Sequence, residues 1–213
     1  MLVPFGPVAH TVVAMDAGEL VLVADDGEAV ARANLGSSSL ADRSLQGPGR
    51  TVLATGEIAR AAYGLALDEW RTLMSGALVG LGEAALAIGV EYAKNRVQFG
   101  APIGSYQSIA RDLADAATLV DGARLLAREA AWAQTDDEGQ FAPLASMAFL
   151  FATRAARRAS NVALHVHGGY GFTLEYDIQL YYRRAQAWPL RRGDPRRGAA
   201  DLADALFGPA EFR

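Results

Sequence analysis

From about Gly56 onward the apolar residues of this chain recur with the period of an α-helix. Leu78, Leu81, Ala85, Ile88 and Tyr92 stand three, four, three and four apart, and Ile109, Leu113, Ala116, Val120, Ala123 and Ala127 repeat the spacing in reverse order. Side chains so spaced stack along one helix face. A long helix with one apolar stripe must bury it, and successive helices of this kind bury their stripes against each other. A third long helix is expected to open at Pro143 and run through His165, carrying Leu144, Met147 and Phe151. The Gly-rich turn HGGYGF follows, then a shorter helix near 177–187, a basic loop, and a last helix near 198–207. The pattern predicts a mainly α chain with an up-down bundle of four to five helices and no internal repeat.

The first fifty or so residues follow a different rule. HTVVAM (10–15) and ELVLVAD (19–25) are β-branched, apolar runs around Asp16-Ala17-Gly18 and predict a hairpin. Asp26-Gly27 marks a second turn, AVARANL (29–35) reads as a further strand, GSSSLADRS (36–44) as loop and RTVLA (50–54) as a final strand. That is too little sheet to close on itself. It predicts a free strand edge and an uncovered apolar face, which proteins hide under another element or another chain. The expected division is a partial β-domain over 1–55 and a C-terminal helical bundle domain over 56–213.

With 213 residues, 51% of them hydrophobic, the chain has material for one large domain or two small ones. A globular chain of this size buries roughly 70% of its unfolded surface. No uninterrupted apolar run reaches the roughly 18 residues of a membrane span, and MLVPFGPVAH lacks the order of a secretory signal. There is no cysteine, which excludes disulfides and thiolate metal sites and fits a cytoplasmic location. A net charge of −4 argues against general nucleic-acid binding. Lys94 is the only lysine beside nineteen arginines, an imbalance that codon bias explains without function.

Three clusters could carry chemistry. In NRVQFGAPIGSYQSIA (95–110) two glycines and a proline break the helical pattern, and Arg96, Gln98, Phe99 and Gln107 surround the break. Arg96 suits a helix C-terminus, where the dipole favours a cation. It equally suits an anion site, because guanidinium binds phosphate in bidentate fashion and glutamine amides add neutral donors. In the second cluster, Gly168 and Gly169 can stop a helix or admit a ligand to the backbone. His165 and His167 are two apart and diverge on a helix, so no metal site is expected. Arg183, Arg184, Arg191, Arg192, Arg196 and Arg197 form the third, readable as a solvated face, an interface or a phosphate-rich site. No catalytic triad, carboxylate pair, nucleotide loop or zinc spacing is present.

Two of these clusters carry a family resemblance. YAKNRVQFGAPIGSYQSIARDLAD (92–115) and HVHGGYGFTLEYDIQLYYRRA (165–185) resemble the C-terminal half of the acyl-CoA dehydrogenases. The first matches their arginine–x–glutamine–phenylalanine–glycine element with a glutamine following, and the second their Gly-Gly-x-Gly-aromatic element ending in Arg-Arg-Ala. VPFGPVAHTVV resembles the late part of the family's middle β-domain. The resemblance implies FAD held across a subunit interface. Arg96 would meet the pyrophosphate, Gln98 and Phe99 would line the cofactor, and Gln107 would reach its adenosine side. Gly168 and Gly169, from a neighbouring subunit, would lie under the dinucleotide, with His165 where a glutamine is common. The implied reaction removes the α-proton of an acyl-CoA thioester and passes the β-hydride to the flavin, and it needs a carboxylate base.

The chain departs from the family where that base belongs. The usual glutamate precedes Gly-Thr, and Arg192-Gly193-Asp194 stands there; a guanidinium stays protonated and cannot abstract a proton. The alternative glutamate precedes an arginine on the first long helix, and here Trp70 precedes Arg71. Glu69 is one residue off, a rotation of about 100° around the helix. Asp194 is a shorter side chain two positions away. No catalytic residue is therefore expected at either usual position. The family's N-terminal helical domain and early middle strands are also missing, which implies a partner, either a complementary subunit or a further copy of this chain in a homo-oligomer. Three readings follow: the smaller subunit of a heteromeric acyl-CoA dehydrogenase, such as the mixed bacterial enzymes acting on bulky substrates; a self-sufficient flavoenzyme with altered chemistry; or a non-enzymatic acyl-CoA-binding scaffold.

Overall fold

The computed structural model describes residues 1–24, 27 and 29–208, the side chains of Arg196, Asp201 and Ala205 excepted. Packing divides the chain into two compact units, Met1–Glu69 and Trp70–Arg213. The change from strand to helix comes at Thr55/Gly56, where the sequence pattern changes, but the first turns of the long helix belong to the same unit as the strands.

In the first unit β2 (Thr11–Asp16) and β3 (Glu19–Ala24) form the expected hairpin. Ala17 and Gly18 both have positive φ, 48° and 86°, matching the right-handed twist of the flanking strands. Val12 pairs with Val23 and Ala14 with Val21, and all four are buried. β5 (Arg50–Thr55) adds to β3 antiparallel, with a register shift between Leu20 and Val21. The sheet order is β2-β3-β5, and neither outer edge meets another strand among the described residues.

Two expectations here are corrected. AVARANL forms no strand, only an isolated bridge from Ala31 to Ala41. Asn34 instead closes a local turn, donating from Nδ2 to the carbonyls of Arg32 and Ser38 and accepting from the Ser38 N–H. Such side-chain bonds compete with a ladder. The segment read as loop contains β4 (Leu40–Asp42), which pairs antiparallel with β1 (Leu2–Pro4). The turn expected at Asp26-Gly27 involves Asp26, which lies outside the described residues.

The second unit is the bundle, made by α1 (Gly56–Asn95) from Trp70 on, α2 (Gln107–Asp136), α3 (Glu138–His167), α4 (Ile178–Ala187) and α5 (Pro195–Phe207). Leu78 and Leu81 of α1, Leu113, Ala116, Val120 and Ala123 of α2, and Ala152, Ala156, Ala159 and Val162 of α3 share one core. The α1 and α2 members are the stripes read from the sequence. Helix α3 begins five residues before Pro143, not at it. Phe141 is buried with Ala130 and Ala133 of α2, and that burial sustains the first turn. Pro143 lacks only the bond to a carbonyl near the helix start. Likewise α5 starts at Pro195, directly after Asp194, a favoured Asp-then-Pro helix start.

Small residues set how close α1 and α3 come. A Cβ added at Gly89 would stand 2.8 Å from the Cβ of Ala163, and one at Gly82 would stand 3.5 Å from the Cα of Ala156. The pairs ascend together, so α1 and α3 run parallel and end at the same end of the bundle. Helix α1 is long and apolar enough to cross a bilayer by length and composition. Met74, Leu78, Val79, Leu81 and Ala85 of this helix are buried inside the unit.

Candidate functional site

The break between α1 and α2 is a minimal hairpin. Strands β6 (Val97–Gln98) and β7 (Ala101–Pro102) flank Phe99 and Gly100, whose φ values are 52° and 83°. Only such positive angles close a two-residue loop with the proper twist. The Arg96 N–H donates to the Tyr92 carbonyl (2.9 Å) and the Ile103 N–H to the Arg96 carbonyl (2.8 Å), so the backbone of Arg96 ends the helix and starts the hairpin. Ile103 is buried, and the Tyr106 hydroxyl donates to the Gln98 carbonyl at 2.8 Å. The hairpin is thereby pinned at its base and open at its tip. Arg96, Gln98 and Gln107 are exposed, and Phe99 is 96% exposed.

Gln107 is the first residue of α2, and Tyr106 before it makes no side-chain capping bond. The start of this 30-residue helix thus has no side-chain cap, and a helix N-terminus of that kind favours an anion.

The glycine turn arrives at the same end because α1 and α3 run parallel. Helix α3 stops at Gly168, whose φ of 59° and ψ of −139° suit glycine alone. The three glycines of the turn differ in kind. Gly171 is needed for packing, since an added Cβ would meet the Leu164 carbonyl oxygen at 2.9 Å. Gly168 is needed for its backbone angles. Gly169 has neither requirement, for its φ is not in the left-handed region and an added Cβ would meet nothing within 4 Å. His165 is exposed and its carbonyl accepts the Gly168 N–H. His167 is 4% exposed, with Nδ1–H donating to the Ala163 carbonyl at 2.7 Å and its ring stacked on Tyr92 at 4.0 Å. The two histidines face apart, as their spacing requires. Among the described residues no cluster of acids and histidines could hold a metal ion.

The two motifs adjoin within one chain. The Arg96 guanidinium lies over the ring of Tyr170, 5.8 Å from its centroid. The glycine turn that stands beside Arg96 belongs to the same chain. Tyr170 was not singled out from the sequence. Its place between two glycines was visible, but its proximity to Arg96 depends on the parallel ends of α1 and α3.

Trp70 and Arg192 are the residues that the resemblance sets at the base positions. Trp70 is half-buried and packs on Phe149, with ring centroids 5.3 Å apart. Arg192 is exposed at the end of the turn Trp188–Arg192, followed by Gly193 at φ 98°. The Asp194 carbonyl accepts the Arg197 N–H at 3.1 Å as α5 begins. Neighbouring Arg191 lies over Trp188, 5.4 Å from its ring centroid, and burial lowers its pKa from the usual guanidinium value.

Comparison with known proteins agrees with this architecture. Residues 60–195 match the family described as acyl-CoA dehydrogenase, C-terminal domain. A protein of Bacillus subtilis named "Probable acyl-CoA dehydrogenase YngJ" is 40% identical over 127 residues, covering 60% of this chain and 33% of that protein. The acyl-CoA dehydrogenase IpdE2 of Mycolicibacterium smegmatis is 34% identical over 140 residues, covering 66% of this chain and 43% of that protein. Among solved structures, butyryl-CoA dehydrogenase from Megasphaera elsdenii aligns with a TM-score of 0.76 at 27% identity, over 92% of this chain and 55% of that one. The ChsE4-ChsE5 complex from Mycobacterium tuberculosis aligns with a TM-score of 0.76 at 28% identity, over 97% of this chain and 58% of the matched one. The chain thus spans 33% of the length of the first of these curated relatives and 43% of the second. By the match of its helical unit to the family's C-terminal domain, this chain belongs to the acyl-CoA dehydrogenase family.

Proposed function

We propose that this chain is the FAD-contacting component of an acyl-CoA dehydrogenase and works with a complementary subunit that supplies the carboxylate base. Members of the family are FAD-dependent flavoproteins. The observation that carries the reading is the joint placement, at one end of the bundle, of a guanidinium, an uncapped helix start and a glycine the fold itself does not require. A dinucleotide suits that combination: Arg96 would hold its diphosphate, Gly168 and Gly169 would let it lie against backbone, and Gln107 would reach the adenosine side. Gln98, Phe99 and His165 would border the same cofactor. When bound, flavin supplies the hydride acceptor for α,β-dehydrogenation of an acyl-CoA thioester.

The need for a partner rests on the base and on the surface. Arg192 and Trp70 stand at the two family positions, and neither can take a proton. Phe99, Phe172 (73% exposed) and Leu174 (88% exposed) leave apolar rings and branches in water beside the hairpin and the glycine turn. Grouped exposure of this kind marks surfaces that another chain covers.

Absorbance spectra and size-exclusion mass, taken on the chain alone and on its complex with a copurifying acyl-CoA dehydrogenase subunit, test the reading. Flavin absorbance in the complex, at one cofactor per site, is the expected result. Flavin bleached by acyl-CoA with this chain alone would replace it with a self-sufficient enzyme, and no flavin in either sample would leave a scaffold. Gly169→Ala sharpens the test: assembly and thermal midpoint should stay at wild-type values while flavin content falls. In contrast, Gly171→Ala should destabilise the chain by about 1–3 kcal/mol, because its methyl meets a backbone carbonyl.

Arg192→Glu probes the loop before α5. With this loop at the acyl pocket, the variant complex should change its acyl-CoA affinity or gain turnover without its partner's base. Unchanged binding and activity would put the loop away from the pocket.

A further inference from the structure

Resting on the flavin reading above, we infer that Tyr170 is a positioning residue whose ring holds the Arg96 guanidinium over the glycine turn, so that cation and turn grip one diphosphate as a unit. Arg96 is exposed and sits at the foot of an open hairpin, where a long side chain otherwise samples many rotamers. Its guanidinium carbon stands 5.8 Å from the Tyr170 ring centroid, inside the roughly 6 Å range over which an aromatic face attracts a cation. A ring face restrains the cation and takes none of its five N–H donors, whereas a carboxylate would neutralise it and occupy two of them. The restrained group therefore remains competent for a phosphate and has less freedom to lose on binding.

Tyr170 can do this because it is itself held. Its ring lies 6.1 Å from Tyr176, and Tyr176 meets Tyr92 edge-on at 6.0 Å and His167 at 5.5 Å. Tyr92 stacks on His167, which is locked to the Ala163 carbonyl. A continuous run of rings thus leads from the buried end of α3 to the half-exposed Tyr170 and so to Arg96. On the sequence side, Gly171 seats the turn tightly on Leu164, while Gly168 and Gly169 leave open space next to the ring. The turn and the cation come from different helices, and Tyr170 is the described contact that joins them.

FAD and ADP affinities of the full chain in complex with its copurifying subunit test the inference, using Tyr170→Phe, Tyr170→Leu, Arg96→Gln and the Tyr170→Leu/Arg96→Gln double variant. Tyr170→Phe keeps the ring face and should bind like wild type. Tyr170→Leu should weaken FAD and ADP alike, by roughly two- to fivefold, the worth of an exposed cation–ring contact. In the Arg96→Gln background the same Leu substitution should cost nothing more, since the partner of the ring is gone. An equal loss in both backgrounds would make Tyr170 a structural or direct ligand contact and overturn the inference. Wild-type affinity in Tyr170→Leu, with Arg96→Gln weakened, overturns the inference and leaves the flavin reading standing. Wild-type affinity in Arg96→Gln overturns the flavin reading as well.

Discussion

Arg96→Gln is expected to weaken FAD binding by roughly ten- to a hundredfold while leaving the fold intact. A hydrogen bond to a charged group is worth about 1.5–3 kcal/mol, and a bidentate guanidinium–diphosphate pair belongs at the upper part of that range. Glutamine keeps two donors and loses the charge. The effect should therefore shrink as salt rises, because ions screen the wild-type attraction and not the neutral substitute. Arg96→Lys should fall between the two, a point charge without the planar fork. Stability should change by no more than about 0.5 kcal/mol, as for other exposed side chains. The local fold depends on the Arg96 backbone, through its bonds to Tyr92 and Ile103, and substitution leaves those in place. Flavin titration at low and high salt beside thermal unfolding would check all of this. Equal affinity and equal salt slope for wild type and Arg96→Gln would remove the anion site from the hairpin.

The second large effect is on the fold and only through it on the site. Gly89→Leu should destabilise the chain by about 3 kcal/mol or more, near the upper end of overpacking costs. At this size that is roughly 6–12 °C in thermal midpoint. The first atom of the new side chain already lies 2.8 Å from the Ala163 Cβ and 3.0 Å from its Cα, so α1 must move away from α3. The gain in helix propensity, at most about 1 kcal/mol, offsets part of the cost. Gly76→Ala in the same helix should have the opposite sign. Its Cβ meets nothing within 4 Å, and replacing a helical glycine by alanine stabilises by about 0.5–1 kcal/mol. Because the α1–α3 approach brings the hairpin beside the glycine turn, Gly89→Leu should also lose flavin, whereas Gly76→Ala should keep it. A Gly89→Leu midpoint equal to wild type would disprove the close helix approach.

Much of the bundle was legible in the apolar spacing. The stripe through Leu78, Leu81 and Ala85 and the one through Leu113, Ala116, Val120 and Ala123 are buried as their period requires. Helix period is a local property, carried by residues three and four apart, and it survives any tertiary arrangement that buries the stripe. Helix starts were harder to place. Pro143 reads as a beginning, yet α3 starts earlier because Phe141 finds Ala130 and Ala133 on the preceding helix. The short strands were harder still. Leu40–Asp42 has no pattern of its own and becomes a strand only by meeting Leu2–Pro4.

The residues bordering the candidate site divide in the same manner. Arg96, Gln98, Phe99, Gln107, Gly168 and Gly169 were recognisable as motifs, because turn chemistry and donor types are written in short stretches. Their common neighbourhood was not. The sequence by itself determined which segments are helices, where they break, and that cations and glycines sit at the breaks. Only the tertiary structure decided that α1 and α3 run side by side in the same direction and that Tyr170 therefore lies under Arg96. The physical reason is distance along the chain: contacts between remote residues depend on how closely Gly82 and Gly89 let two helices approach, and no local spacing encodes that separation.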